Sequence, residues 1–197
     1  MRAYYGFLAS RCAGCYGDVL YCLLYKNVFA AAKGDSNQSD QQGRKKPKGF
    51  RVEFWMKIAT FLVVPAELVS IFWNIRIWDT TALRGIGIAV GAAGVLVFIL
   101  AMATMRDSWR AGIPAKDKTE LVTTGIYRLS RNPAFLGFDL VYLGLLVAFF
   151  NPVHMVFTLF AVIMLHFQIL QEEAFLSETF GKPYLEYKQH TGRYFLI

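Results

Sequence analysis

Two groups of polar residues interrupt apolar sequence in the second half of this 197-residue chain. Arg131 and Asn132 stand directly before one apolar segment, and Gln168, Glu172 and Glu173 lie at the end of the next. On a helix Gln168 and Glu172 share a face because they are four residues apart, whereas Glu173 points about 100° away. Cationic and amide donors opposite carboxylates suit a zwitterionic or positively charged ligand, and a carboxylate can also act as a general base. The alternative is structural, with Arg131 paired to Glu172 or extended towards lipid phosphates.

This chemistry requires the two apolar segments to be neighbours. Residues 134–150 and 153–170 are separated by Asn151-Pro152, a dipeptide through which a helix does not readily continue. The sequence therefore predicts a tight hairpin of two helices that enter and leave the membrane at the same depth. We expect this hairpin to bring the arginine–asparagine pair close to the glutamine and glutamate that share a helix face.

The composition indicates a membrane protein. Hydrophobic residues make up 55% of the chain and charged residues 18%, whereas a soluble domain has about 45–50% apolar and about 25% charged residues. The formal net charge of +7 would suit a nucleic-acid-binding protein, but the charges cluster between long apolar segments, as in a multi-pass membrane protein. We therefore expect membrane lipids, and no nucleic acid, as partners.

We predict an all-α integral membrane helical bundle with about five transmembrane helices and a C-terminal cytoplasmic amphipathic helix. A span needs about 20 mostly apolar residues, and the predicted spans are 4–32, 54–73, 83–105, 134–150 and 153–170. Residues 1–53 would form an N-terminal transmembrane helix and a polar basic linker. Residues 54–197 would form the core, with a cytoplasmic tail at 171–197.

The distribution of basic residues predicts the orientation of this bundle. The 33–53 linker, the 106–132 loop and the tail after residue 170 contain 15 of the Lys and Arg residues, against 3 on the other side. Cytoplasmic loops carry the excess of Lys and Arg, so the polar groups are predicted to face the cytoplasm. The membrane would be the plasma (inner) membrane of a bacterium or the endoplasmic reticulum of a eukaryote.

Other candidate signals have simpler explanations. Gly87 and Gly91 follow no strand, so they predict a small-residue face for close helix packing and not a dinucleotide-binding loop. The three cysteines include one C-x-x-C pair without a second ligand pair, so no metal site is predicted. Glu67 and Asp139 are acids at membrane depth, where a charge needs a partner, and a structural pairing and a cavity role are equally open. His154 is interpreted as an interfacial residue.

Two motifs in about the last 80 residues resemble a known family. The segment Gly125–Gly137 reads Gly-x-Tyr-x-x-x-Arg-Asn-Pro-x-Phe-x-Gly, and the segment Glu172–Lys188 begins with paired glutamates that precede Phe-Gly-x-x-Tyr-x-x-Tyr. In this order and at this separation they resemble the isoprenylcysteine carboxyl methyltransferases, integral membrane enzymes whose core is shared by membrane phospholipid N-methyltransferases. The resemblance implies S-adenosyl-L-methionine as methyl donor and a lipophilic, prenylated or lipid substrate within the bilayer.

The resemblance also implies roles for individual residues. The donor-binding residues would be Thr119, Glu120, Leu121, Val122, Tyr127, Asn132, Pro133, Ala134, Phe135 and Glu172. The catalytic residues would be Arg131, Glu172 and Glu173. The substrate would contact Gln168 and Arg131.

Two positions depart from the family pattern. Asn132 replaces a common histidine, although both side chains can donate a hydrogen bond. Gln168 falls at or near the position of a substrate-contacting arginine, and an amide cannot hold a carboxylate as a guanidinium does. Either the acceptor is not a prenylcysteine carboxylate or Arg131 takes over this task.

Three functions remain open at this stage. The first is carboxyl O-methylation of a prenylcysteine-like group. The second is methylation of a phospholipid amine or another small lipophilic acceptor, for which Glu173 or Glu172 would be the base. The third is a non-catalytic membrane packing or transport protein.

Overall fold

The computed structural model describes residues 50–77, 80–105 and 121–195 of the chain. These residues form α-helices and one 3-10 turn, with no strand among them. The helices are α1 (Phe50–Phe72), α2 (Thr81–Met105), α3 (Pro133–Ala148), α4 (Pro152–Phe180) and α5 (Lys182–His190). The predicted helical membrane bundle is confirmed, while the predicted first span at 4–32 lies outside the described residues.

Three of these helices, α1, α2 and α4, are long and apolar enough to cross a membrane. Helix α3 has 16 residues, which corresponds to about 24 Å at 1.5 Å per residue. Helix α4 has 29 residues and is terminated by Gly181, which follows its last residue. The φ of 58° at Gly181 is easily adopted by glycine because glycine has no Cβ atom. It therefore continues ten residues beyond the predicted end of the span at 170, because Gln, Glu, Ala and Leu favour a helix and no Gly or Pro intervenes. Glu172 and Glu173 thus lie on the same rigid helix as the span.

The predicted hairpin between α3 and α4 is confirmed, and Asn151 stabilises its turn. The Asn151 side chain accepts a hydrogen bond from the backbone N–H of His154 at 2.9 Å and so caps the N-terminus of α4. Its Nδ2 donates to Oγ of Ser70 on α1 at 2.9 Å. The backbone N–H of Ile77 donates to the carbonyl of Phe150 at 2.9 Å, so the end of α1 and the hairpin turn are joined at one end of the bundle.

Glycines determine which helices pack most closely. Helix α3 packs mainly against α2 and α4 against α1, while the two helices of the hairpin contact each other less. A Cβ atom at Gly87 would lie 2.5 Å from the carbonyl oxygen of Gly144, and one at Gly94 would lie 2.6 Å from that of Gly137. The predicted small-residue face therefore lies against α3, and it extends from Gly87 through Gly91 to Gly94.

Replacement of Gly144 by alanine is expected to destabilise the bundle. The new Cβ would lie 2.5 Å from the backbone N of Gly91 and 2.6 Å from the carbonyl oxygen of Gly87, so the helices must separate. Overpacking of this kind costs about 1–3 kcal/mol, which thermal unfolding in detergent micelles can measure. Gly85→Ala is the matched control, because nothing lies within 4 Å of its Cβ position. Equal unfolding temperatures for the two variants would contradict the close approach of α2 and α3.

Candidate functional site

Glu173 on α4 lies at the centre of a buried ionic cluster. Its Oε1 accepts hydrogen bonds from Nη2 of Arg131 at 3.0 Å, from Nε of Arg131 at 3.2 Å and from Nδ2 of Asn132 at 3.1 Å. Its Oε2 accepts from Nη2 of Arg193 at 3.0 Å. The side chains of Glu173 and Arg131 are only 4% and 7% exposed. Both carboxylate oxygens of Glu173 are therefore occupied by strong donors, as a buried charge requires.

The end of α5 and the residues that follow it bind the loop that precedes α3. Nη1 of Arg131 donates to the carbonyl oxygens of Lys188 at 3.0 Å and Thr191 at 2.7 Å. The backbone N–H of Arg131 donates to the carbonyl of Gly192 at 2.9 Å. Oγ of Ser130 and Nδ2 of Asn132 each donate to the carbonyl of Arg193 at 3.2 Å. Because one arginine bonds this segment through both its side chain and its backbone, the motif arginine is a structural centre for the C-terminal residues.

The segment 191–194 also contacts α4 two helical turns before Glu173. The hydroxyl of Tyr194 lies 2.6 Å from Nδ1 of His166, and the two rings are stacked with their centroids 6.0 Å apart. His166 and Glu173 are seven residues apart and share a face of α4. This face of α4 is therefore covered by the C-terminal segment.

The neighbouring face of α4 carries Glu172 and Gln168. Nε2 of Gln168 donates to Oε1 of Glu172 at 3.0 Å, as expected for residues four apart on a helix. Oε1 of Gln168 is buried and accepts no hydrogen bond in the part of the chain that the structure describes. The predicted partners of Arg131 and Asn132 were Gln168 and Glu172. In the structure Arg131 and Asn132 instead bind Glu173, the next residue, while Gln168 and Glu172 bind each other. The difference arises because adjacent helical residues point about 100° apart, and the rotation of α4 decides which of them faces the loop.

The first motif forms a 3-10 turn at Gly125–Arg128 that holds Tyr127 in a buried position. Gly125 has a φ of +60°, and a Cβ at this position would lie 3.0 Å from the side chain of Thr104, so glycine is needed on both counts. The hydroxyl of Tyr187 donates to the carbonyl of Tyr127 at 2.5 Å. Burial raises the pKa of the Tyr127 phenol above its usual value, and the negative charge on Glu172 adds to this effect. The hydrogen bond from Tyr187 therefore joins this turn to α5.

The remaining positions implied by the resemblance surround this turn. Leu121 and Val122 lie half-buried before it. Pro133 and Ala134 are buried at the start of α3, and Phe135 is half-buried. Thr119 and Glu120 lie outside the described residues.

The sequence does not indicate Arg193 or the carbonyl groups of residues 188–193 as parts of the site. The carbonyl groups contact residues about 60 positions earlier in the chain and the Arg193 guanidinium contacts Glu173, 20 positions earlier, so no local spacing indicates them. The only signal is that the second motif continues into Thr191-Gly192-Arg193 after its last tyrosine. A basic residue there is a candidate partner for one of two adjacent carboxylates.

His154 is buried within the bundle and faces another titratable side chain, and its position at the membrane interface stays a prediction. Its side chain and that of Glu67 on α1 are both 0% exposed, and Nε2 of His154 lies 3.9 Å from Oε1 of Glu67. His154 therefore faces Glu67 across the α1–α4 interface, but at this distance neither carboxylate oxygen of Glu67 accepts a hydrogen bond within the described residues. Asp139 on α3 is also buried, and its Oδ1 has no hydrogen bond within the described residues. Among the same residues, no group of three or more His, Cys, Asp or Glu side chains could hold a metal ion.

The fold and the site define a helical membrane protein in which the motif residues Arg131, Asn132 and Glu173 meet where the loop before α3 contacts α4. A family model described as phospholipid methyltransferase matches residues 82–183, which is more than half of the chain. The chain therefore belongs to the phospholipid methyltransferase family. The match begins in α2, earlier than the two motifs, and so includes the glycine-rich contact between α2 and α3.

Curated relatives confirm the resemblance to the isoprenylcysteine enzymes. A probable protein-S-isoprenylcysteine O-methyltransferase from Oryza sativa subsp. indica is 34% identical over 116 residues, which cover 56% of this chain and 61% of the relative. Protein-S-isoprenylcysteine O-methyltransferase A from Arabidopsis thaliana is 44% identical over 72 residues, 35% of this chain and 36% of the relative. The Saccharomyces cerevisiae protein-S-isoprenylcysteine O-methyltransferase is 35% identical over 97 residues, 47% of this chain and 40% of the relative. The matches thus span less than two thirds of these relatives.

Proposed function

We propose that this chain is a membrane methyltransferase that transfers a methyl group from S-adenosyl-L-methionine to the carboxylate of a prenylcysteine-like, lipophilic acceptor. Family membership and the names of the relatives support methyl transfer. The observation that carries the proposal is the contrast between the two glutamates of the second motif. Both carboxylate oxygens of Glu173 accept hydrogen bonds from the side chains of Arg131, Asn132 or Arg193. Glu172, in contrast, accepts a side-chain hydrogen bond only from the amide of Gln168 among the described residues.

The residues around Glu172 fit the proposed donor. Its carboxylate can accept the ammonium group of the methionine portion, and the unpartnered, buried Oε1 of Gln168 supplies a second acceptor. The half-buried residues 121 and 122 precede the Tyr127 turn, where the adenosine would lie. Gln168 would then bind S-adenosyl-L-methionine and would also hold Glu172 in place. Arg131 and Glu173 position the loop and the C-terminal segment and do not touch the reacting atoms.

The state of Glu173 also favours a carboxylate acceptor over an amine. When bound, S-adenosyl-L-methionine supplies a methyl group on a sulfonium sulfur; formation of the O–CH3 bond breaks the S–CH3 bond and leaves a neutral thioether and a neutral ester. A carboxylate is already ionised at neutral pH, so no proton has to be removed. An ammonium acceptor would first have to lose a proton to a base. Glu173 is poorly suited to that task because two guanidinium groups bind its oxygens. Glu172, the other candidate base, would be occupied by the ammonium group of the methyl donor.

The proposed orientation places the site at the cytoplasmic end of the hairpin. The excess of Lys and Arg in the segments that flank the motifs supports this orientation. A soluble donor would then reach Glu172 from the cytoplasm, while the acceptor would approach from the bilayer. The membrane would be the plasma (inner) membrane in a bacterium or the endoplasmic reticulum in a eukaryote.

Donor binding and product analysis test this proposal. S-adenosyl-L-methionine and its demethylated product are expected to raise the unfolding temperature of the purified protein at saturating concentration, because a ligand that binds only the folded state stabilises it. With a labelled donor, an S-prenylated N-acetylcysteine should yield a label that base releases, as expected of a methyl ester. Phosphatidylethanolamine should yield none. A lack of stabilisation by both compounds, or label on the phospholipid amine alone, would overturn the proposal.

A further inference from the structure

The site needs a cation for an anionic acceptor, and the two positions considered from the sequence do not supply one. Gln168 stands at or near the position where the resemblance implies a substrate-contacting arginine, and its amide carries no charge. Arg131 is 7% exposed and donates to Glu173 and to two carbonyl groups. Another cation must therefore take this role if the acceptor carries a carboxylate.

The ionic cluster around Glu173 has one positive charge in excess. Arg131 and Arg193 each carry a full charge at neutral pH, and Glu173 balances only one of them. The hydrogen bonds to Glu173 raise the pKa of Arg193 further, so this guanidinium stays charged. The excess charge is available to an anion at whichever arginine remains accessible.

Arg193 is the accessible member of the pair. Its side chain is 34% exposed, against 7% for Arg131. Nε and Nη2 of Arg193 bind Glu173, and Nη1 donates no hydrogen bond within the described residues. The carboxylate of Glu173 therefore fixes the guanidinium and leaves one edge of it for an external oxygen.

The surroundings of Arg193 suit an amphiphile. Phe195, two residues further along the chain, is 59% exposed, and Leu129, which precedes Ser130, is 49% exposed. Oγ of Ser130 donates to the carbonyl of Arg193 at 3.2 Å, so the loop that carries Leu129 lies beside the arginine. A cation in a segment that also carries exposed apolar side chains matches a molecule that combines an anionic group with a lipid tail.

We propose that Arg193 binds the carboxylate of the lipophilic acceptor and replaces the arginine that is absent at position 168. This inference rests on the proposed function for the identity of the acceptor. Arg193 does not need the methyl donor for this task, since its guanidinium is fixed by Glu173 alone. Binding of the acceptor can therefore be measured separately from catalysis.

The test compares an acid with its uncharged analogue. The full-length protein in nanodiscs of zwitterionic phospholipid is titrated with an S-prenylated N-acetylcysteine and with its carboxamide, in the absence of the methyl donor. The wild type is expected to bind the acid about tenfold or more tightly than the amide, as a charge-assisted hydrogen bond predicts. In Arg193→Gln this preference should disappear. Because a merely loosened fold weakens both ligands alike, the ratio of their affinities reports the charge contact itself.

Two comparisons make the result decisive. Arg128→Gln removes an exposed arginine from the nearby 3-10 turn and should keep the preference for the acid. Nanodiscs with phosphatidylglycerol show whether lipid phosphate is the true anion, in which case the wild-type ratio of acid to amide affinity falls to that of Arg193→Gln in the same nanodiscs. That outcome, no preference in the wild type, or an unchanged preference in Arg193→Gln would overturn the proposal. Failure of donor binding would instead overturn the proposed methyl transfer and leave the affinity ratio intact.

Discussion

Glu173→Ala is expected to be the most destabilising single change at the site, with a loss of about 3–5 kcal/mol in the free energy of unfolding. The substitution leaves the guanidinium of Arg131, which is 7% exposed, buried without its counter-ion. It also removes the acceptor for Asn132 and Arg193, so the link between the loop, α4 and the C-terminal segment is broken. Reversible unfolding in mixed micelles would measure the loss.

The control for this variant is Glu178→Ala on the same helix. Glu178 is exposed, and an exposed substitution changes stability by only about 0.5 kcal/mol. The free energy of unfolding of Glu173→Gln should lie between those of Glu173→Ala and Glu178→Ala. The amide oxygen still accepts a hydrogen bond, while the amide N–H groups oppose the guanidinium donors. If Glu173→Ala is as stable as Glu178→Ala, the ionic cluster does not hold these segments together.

The helices of the bundle could be predicted because hydrophobicity in a membrane is a local property. Each predicted span in the described region coincides with a helix, and Asn151-Pro152 marks the hairpin turn because both residues act on their own backbone. The end of α4 could not be located from hydropathy, since the helix continues through polar residues to Gly181. The burial of His154 was also hidden, because its partner Glu67 lies on α1, far away in the sequence.

The residues of the two motifs could be predicted as the site, but which of the two adjacent glutamates binds Arg131 could not. The motifs identify Arg131 and the paired glutamates, yet spacing along a helix cannot tell which glutamate faces the loop. That choice depends on the rotation of α4, which its packing against α1 and the C-terminal segment determines. The role of Arg193 is even harder to predict from the sequence, because its contacts are long-range hydrogen bonds to a side chain on α4 and to the loop before α3.

The second large effect is expected for Glu172→Gln, which should weaken binding of S-adenosyl-L-methionine by about tenfold to a hundredfold. Under the proposed function, Glu172 accepts the ammonium group of the donor, and a neutral amide cannot neutralise that charge. The change keeps the size of the side chain, and glutamine can still accept the hydrogen bond from Gln168. Stability without ligand should therefore stay close to that of the wild type, in contrast to the Glu173 variants.

This contrast separates binding from folding at two adjacent positions. Isothermal titration of the donor into wild type, Glu172→Gln and the exposed control Glu178→Gln gives the three affinities, and unfolding of the same samples without donor gives their stabilities. We expect only Glu172→Gln to lose affinity, while all three retain their fold. Should Glu172→Gln bind the donor as tightly as Glu178→Gln, the ammonium site lies elsewhere, although membership of the methyltransferase family would stand. A loss of both affinity and stability would show that Glu172, like Glu173, is structural, because a residue that only binds ligand leaves the ligand-free fold unchanged.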